Sequence, residues 1–309
     1  MLAQLLASSL AITYASANCL HGTSFMPRAE GEVQVSKFGY TGLQGPLNWA
    51  ALDPANRACR LSSVQSPIVL DDAVPKATEK PKIEIEALEE AEFENLGTTL
   101  EVVIAEGKGK TTFAGKEFAL KQFHLHTPSE HRINDEYFPL EMHMVHQAQD
   151  GGIAVIAIPF QLDEEGGTTE LLTAATENLQ DVATPGTATT TGALDFATLV
   201  AAVEAGPLFQ YTGSLTTPPC AEGLTFLVLE QPLPLDIKTY NALKRVIKFN
   251  ARYTQNTLGQ PNFLALATDL SVREDGLKAP QQAAQANATA PGVTRTRTRT
   301  GNGKHGHRH

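Results

Sequence analysis

Five of the nine histidines fall in one stretch, Lys121–His146, which reads KQFHLHTPSEHRINDEYFPLEMHMVH. His124 and His126 are two residues apart. On a β-strand, side chains at i and i+2 share a face, so this pair can grip one ion from one side. An acidic and aromatic connection, long enough to turn the chain back, leads to His143. An antiparallel neighbour lies about 5 Å away, which brings a third imidazole within reach. Three neutral imidazoles around an open fourth position are the ligand set of a catalytic zinc site. His-x-His alone on a strand is more often ordinary packing than a metal grip, so the reading needs support from elsewhere in the chain.

The elements that must carry these residues read as strands. Lys82–Ala87, Thr99–Ile104, Phe118–Leu125, Leu140–Gln147, Ile153–Phe160 and Leu224–Leu229 show strand-like alternation between turn residues, the pattern of a β-dominated domain. Helical periodicity marks Thr169–Asn178, Asp195–Ala202 and Ile237–Phe249. Gln161–Thr191, with Gly166-Gly167 and a Thr-rich end, reads as a variable surface excursion. Residues 37–56 form an irregular segment punctuated by Gly and Pro. No internal repeat and no Gly-rich nucleotide loop stands out.

A second stretch far along the chain supplies the support: Gly213-Ser-Leu-Thr-Thr-Pro-Pro219, followed by Cys220. Together with Gln122-Phe-His124-Leu-His126, Ser129-Glu-His131 and Glu141-Met-His143-Met-Val-His146, it resembles the α-class carbonic anhydrases in motif order and spacing. The resemblance runs from about Lys37 to Leu266. It implies a central, mainly antiparallel twisted sheet with short peripheral helices, and Zn2+ held by His124, His126 and His143. It also implies reversible hydration of CO2 to bicarbonate by a zinc-activated hydroxide. Zinc lowers the pKa of a bound water toward neutrality, carbonic anhydrase being the standard example of that effect.

The same resemblance distributes the supporting roles. Gln122, the Asn250 backbone carbonyl and Glu141 are the acceptors that fix the His124, His126 and His143 tautomers. Thr216 accepts from the nucleophile and donates to Glu130. Val145, Val155, Leu215, Leu224 and Phe226 form the dry wall for CO2, and Thr217 contacts departing bicarbonate. On sequence alone each of the apolar residues is ordinary core. Phe226 stands where a Trp is frequent and keeps an aromatic wall. His131 and His146 are structural, and a bond from His131 to Tyr211 is one possibility. Tyr40 lies near the catalytic water network or simply packs, and Trp49 packs. Thr98, in Asn95-Leu-Gly-Thr98, stands where fast members carry a proton-relaying His. It cannot titrate near neutral pH, which implies proton transfer to external buffer. Secreted relatives join cysteines at the places of Cys59 and Cys220.

The length allows one large domain or two ordinary ones, and no apolar run is long enough to span a bilayer. Residues 1–17 are small and apolar and end Ala15-Ser16-Ala17, which reads as a secretory signal peptide although its n-region lacks Lys and Arg. Residues 18–36 follow as a lead segment, 37–270 as the catalytic domain and 271–309 as a low-complexity basic tail. Net charge is −10, yet 281–309 hold five basic side chains and no acidic one, leaving −15 on the rest. An acidic body argues against nucleic-acid binding. Secretion makes a disulfide plausible among three cysteines, with Cys19 left over, and makes Asn287-Ala-Thr289 a usable glycosylation site. His305, His307 and His309 sit in the tail without fixed geometry. Oligomeric state is not legible. The competing reading is a catalytically silent binding or storage relative. Such proteins typically lack one of the three histidines, and all three are present here.

Overall fold

A computed structural model describes residues 33–269. Residues 1–17, read above as a signal peptide, Cys19, His21, the Asn287 sequon and the basic tail lie outside the described residues. Two compact units are distinguished, Met1–Ala265 and Leu266–His309, and the site lies in the first.

That unit is built on strands. In chain order they are β1 (Val69–Leu70), β2 (Lys82–Ile85), β3 (Glu92–Asn95), β4 (Leu100–Val103), β5 (Gly109–Phe113), β6 (Lys116–His126), β7 (Arg132–Ile133), β8 (Leu140–Ala148), β9 (Ile153–Leu162), β10 (Ala188–Thr190), β11 (Leu208–Ser214), β12 (Glu222–Leu229) and β13 (Leu233–Leu235). Eleven of them form one sheet with the path β10-β3-β4-β6-β8-β9-β12-β11, and β1 pairs with β7 apart from it. The pairs β6–β8 and β8–β9 are antiparallel, whereas β9–β12 and β9–β13 are parallel, so the sheet is mixed.

All six runs with strand periodicity lie on strands of this sheet. After two short helices, α1 (Trp49–Leu52) and α2 (Ala58–Leu61), the helices α3 (Glu170–Ala175), α4 (Ala197–Ala205) and α5 (Ile237–Ile247) overlap the three periodic segments with shifted ends. Local bonds set those ends. The Asp236 carboxylate caps α5 by accepting from the Thr239 N–H, and Lys248 leaves the helix at φ 65°. The Thr176 hydroxyl turns back to the Leu172 carbonyl where α3 stops.

Gln161–Thr191 is not a surface excursion. Leu171, Leu172, Ala175, Leu179 and Val182 are buried in the main core, and β10 pairs antiparallel with β3 at the edge of the sheet. The apolar residues here are spread over short pieces separated by Gly, Thr and Asn. No single window therefore carries a clear period, and burial comes from docking on the sheet.

Each face of the sheet carries its own apolar cluster. On one, Phe123, Leu125, Met142, Met144, Ile156 and Ile158 pack with residues of α3, α4 and α5. On the other, Val145, Val155, Phe226 and Tyr211 belong to a second cluster. A third, smaller cluster joins Phe38, Trp49, Cys59 and Cys220. Its two cysteines form the disulfide across 161 residues of chain. Trp49 is fully buried and donates its indole N–H to the Gly39 and Gln44 carbonyls.

The disulfide closes so long a loop that its loss should cost about 2–5 kcal/mol on the chain-entropy account. Urea unfolding of wild type against C59A/C220A measures this. An unchanged midpoint would mean that the link contributes nothing.

Candidate metal centre

The period of two places the site. His124 on β6 pairs with His143 on β8, and His126 pairs with Glu141. Because β6 residues at even positions from Gln122 to His126 share a face, Phe123 and Leu125 go to the opposite core. One row across the sheet reads Glu94, Glu101, His124, His143, Ala157, Val228. The next reads Val103, Gln122, Val145, Val155, Phe226, Tyr211. Each row is polar on β6 and apolar on β9 and β12.

The three imidazoles converge. Their ring centroids lie 5.0 Å (His124–His126), 5.3 Å (His124–His143) and 4.6 Å (His126–His143) apart. One nitrogen from each falls within 4.8 Å of the others. The second nitrogen of each ring is taken. His124 Nδ1 donates to Gln122 Oε1 at 2.8 Å, His126 Nδ1 to the Asn250 carbonyl at 2.8 Å, and His143 Nε2 to Glu141 Oε1 at 2.6 Å. These bonds leave Nε2, Nε2 and Nδ1 as the lone pairs. Burial lowers the pKa of all three, to about 4 for His126 and well below the usual value for His124, so they are neutral at neutral pH.

These residues fit a zinc ion. The donor set is three neutral imidazoles, each with an acceptor behind it. His126 Nε2 is buried without a hydrogen-bond partner, and so is Glu130 Oε2, 3.5 Å away. Two such orphaned atoms side by side are costly unless something polar stands between them.

Glu141 does more than hold His143. Oε1 also accepts from His131 Nδ1 at 2.6 Å, and Oε2 accepts the backbone N–H groups of Glu130 and His131. Burial opposes its ionisation, but His131 and His143 outweigh this and hold the carboxyl well below the usual range. His131 Nε2 meets the Tyr211 hydroxyl at 2.6 Å, and that hydroxyl also bonds Ser66 Oγ. His146 is structural, between Thr111 Oγ1 and the Met144 carbonyl.

Thr216 is buried on the loop after β11, near the Glu130 carboxyl. Glu130 Oε1 accepts the Arg252 backbone N–H at 2.8 Å. Burial raises the Glu130 pKa to about 7, with His143, the Arg252 N–H and Thr216 acting against it. Val145, Val155, Leu215, Leu224 and Phe226 fall in one apolar cluster, with Phe226 stacked on Tyr211 at 5.0 Å and 6.0 Å from the His143 ring. Thr217 is half-buried in the same loop, its carbonyl accepting from the Cys220 N–H. Tyr40 packs edge-on against Phe38 and Trp49. Its hydroxyl pKa is raised by burial and by nearby Glu130, against the pull of Arg252.

Two features had no counterpart in the sequence reading. The buried Arg252 guanidinium bonds the Ser66 and Cys59 carbonyls and Gln65 Oε1, so it ties the disulfide segment to the chain beside Glu130. Glu94 and Glu101 are buried as cross-strand neighbours in the row of His124. A carboxylate alternating with apolar residues in Leu100-Glu-Val-Val103 was the available signal for the second.

A family model of eukaryotic-type carbonic anhydrase matches residues 44–263. The chain belongs to the α carbonic anhydrase family, and carbonic anhydrase is a carbonate dehydratase, a lyase. The solved fungal α carbonic anhydrase of Aspergillus oryzae is 44% identical with a TM-score of 0.73, over 76% of this chain and 100% of that one. An α carbonic anhydrase from Thermovibrio ammonificans, solved with the inhibitor sulfanilamide, is 32% identical with a TM-score of 0.62, over 73% and 97%. A carbonic anhydrase of Pectobacterium atrosepticum is 31% identical over 218 residues, 68% of this chain and 83% of its own length.

Two outcomes follow. E141Q should weaken zinc binding about 10- to 100-fold, the usual effect of removing a ligand's outer partner, as measured by competition with a chromogenic chelator. An unchanged affinity would remove Glu141 from the site. His146 concerns stability. Burial holds its folded pKa at about 4, against the ordinary 6.5, with bonds to backbone carbonyls acting the other way. Unfolded chain therefore takes up a proton that folded chain refuses. Its contribution is intact above pH 6.5 and is lost as the pH falls from there toward 4. Unfolding free energy should drop more steeply across that window in wild type than in H146Q, and equal slopes would count against it.

Proposed function

We propose that the chain is a secreted zinc enzyme that reversibly hydrates CO2 to bicarbonate and a proton. The observation that carries this is the set of three buried, neutral imidazoles, each with one nitrogen engaged and one lone pair aimed at a common point. His124, His126 and His143 would hold Zn2+, which when bound supplies a Lewis acid that brings a water's pKa toward neutrality.

The remaining work belongs to the chain. Thr216 gives its proton to Glu130, which leaves only acceptor lone pairs on its oxygen facing the cleft. An attacking oxygen that donates to Thr216 turns its own lone pair toward the substrate carbon. A dication on the imidazoles would hold Glu130 ionised against its burial, so it remains an acceptor. Val145, Val155, Leu215, Leu224 and Phe226 keep water off the other side and favour an apolar substrate. Thr217 has a hydroxyl to offer departing bicarbonate.

Proton export differs. Thr98 is buried and cannot titrate near neutral pH, so the product proton passes to external buffer and limits turnover. Secretion is supported by the Cys59–Cys220 disulfide and by the Ala-Ser-Ala end of residues 1–17. No helix among the described residues is long and apolar enough to cross a membrane.

Stopped-flow hydration of CO2 by the zinc-loaded protein, with imidazole titrated at low buffer, tests the reading. Activity that rises with imidazole and is blocked by sulfanilamide is expected. T216V should lower kcat/KM by about 10²-fold, the order that misplacing a reacting group costs. No activity with one zinc bound would overturn the enzyme reading in favour of a silent binding protein. High activity indifferent to imidazole would keep the enzyme and discard the export argument.

A further inference from the structure

Residues 33–38 lie as a strap over the turn that carries Thr98. The Ser36 N–H donates to the Leu96 carbonyl at 3.0 Å, and Ser36 Oγ meets Thr98 Oγ1 at 2.9 Å. Val35 sits in a notch made by small residues. A Cβ on Gly97 would come within 2.9 Å of one Val35 methyl carbon and 3.4 Å of Pro185, and a Cβ on Gly186 within 3.3 Å of the other. Both glycines have positive φ, 77° and 85°, so the notch is built into the backbone. At its other end the strap is anchored by Phe38, buried against Trp49 beside the disulfide.

The strap therefore has half-exposed Val35 in its notch at one end, buried Phe38 at the other and two polar contacts at Ser36 between them, of which the side-chain one is with Thr98. Thr98 is only 8% exposed. A hydroxyl fits beneath Ser36. An imidazole, with several more heavy atoms, does not fit unless the strap moves. The turn below is held as firmly. The Asn250 side-chain amide donates to the Thr98 carbonyl at 3.0 Å and to the Leu125 carbonyl at 2.8 Å, and the Asn250 backbone carbonyl accepts from His126. Relief has to come from the strap, since the turn is tied to a residue that orients a metal ligand.

We propose that Val35 and Ser36 decide the route of proton export, by closing the rim at Thr98 so that no titrating side chain there can relay a proton outward. This rests on the CO2-hydration reading above. It makes the Thr at position 98 one part of a matched pair: the side chain is small because the strap covers it.

The test compares wild type, T98H, V35G/S36G and V35G/S36G/T98H as full-length zinc-loaded proteins. Rates are measured at low buffer and at saturating imidazole. Equal rates in saturating imidazole show that all four fold and perform the chemical step. T98H alone should stay as dependent on imidazole as wild type. The triple variant should gain at low buffer by about tenfold or more, toward the ~10²-fold that a positioned acid–base group typically supplies. A T98H protein that by itself no longer needs imidazole would overturn the proposal, as would a triple variant no faster at low buffer than T98H. A second readout does not depend on activity. In T98C, alkylation of that thiol, followed by peptide mass spectrometry, should be at least about tenfold slower than in V35G/S36G/T98C, by the logic of local opening. Equal labelling rates would overturn the strap even if hydration is as proposed. Slow labelling in an inactive protein would keep the strap and discard the hydration reading.

Discussion

Three imidazoles can hold one cation only if each is neutral and each has its second nitrogen already committed. A ring left free to flip would offer the wrong atom, and a protonated ring would repel the ion. Burial secures the first condition by depressing the three pKa values. The second needs three acceptors: a Gln two residues before His124 on β6, a Glu two residues before His143 on β8, and a backbone carbonyl more than a hundred residues after His126. The last of these obliges the chain after α5 to return to the end of β6. It does so through Asn250, whose backbone N–H and side-chain oxygen both bond Thr127. The far end of the unit is thus fastened to the metal site by the ligand geometry itself.

The same constraint divides the sheet. A cation and its ligands need polar partners, whereas CO2 needs a dry surface, and both must be satisfied within a few ångströms. Placing the division across the strands lets one alternating pattern serve both. His143 and Val145 are adjacent inward positions on β8, the first facing His124 and the second facing Val155. Each has a polar partner on β6, His124 or Gln122, and an apolar one on β9, Ala157 or Val155, so the division runs along β8. The intervening Met142 and Met144 enter the opposite core, where burial of each contributes about 1.5–3 kcal/mol. Function and folding free energy are therefore drawn from alternate residues of one strand.

What could be read from the sequence follows the range of the interaction. His-x-His and the strands around it were legible because period two is local. The ligand set, its acceptors and the disulfide followed from a resemblance carried by contiguous motifs. The second duty of Glu141 toward His131, the Arg252 clamp and the Ser36–Thr98 contact were not legible. Each joins residues that no motif spells together, and in each the residue type is compatible with a surface role. Gln161–Thr191 was misread for a related reason. Its apolar residues are core residues only because α3 and the turns after it dock on a sheet assembled from elsewhere. Glu94 and Glu101 escaped for a similar reason: they join the row of His124 only through cross-strand pairing of β3, β4 and β6.

The loop that carries Thr216 and Thr217 has no regular structure to fix it, yet Thr216 has to meet Glu130 to within a hydrogen bond. Two bonds within the loop and one from far along the chain hold it. The Leu215 N–H bonds the Ala221 carbonyl, the Cys220 N–H closes on Thr217, and the Gln65 side-chain amide holds the Cys220 carbonyl. Arg252 grips Gln65, Ser66 and Cys59 with its guanidinium while its backbone N–H holds Glu130. A buried guanidinium is expensive unless its hydrogen bonds are met, and here both terminal nitrogens, though not Nε, are bonded by the segment that the disulfide ties to Cys220. That charge aligns two parts of the site: the Glu130 carboxyl and the loop that carries Thr216 are held by one residue, Arg252, and one covalent link. A threonine on an otherwise free loop can then act with the precision of a residue on a strand.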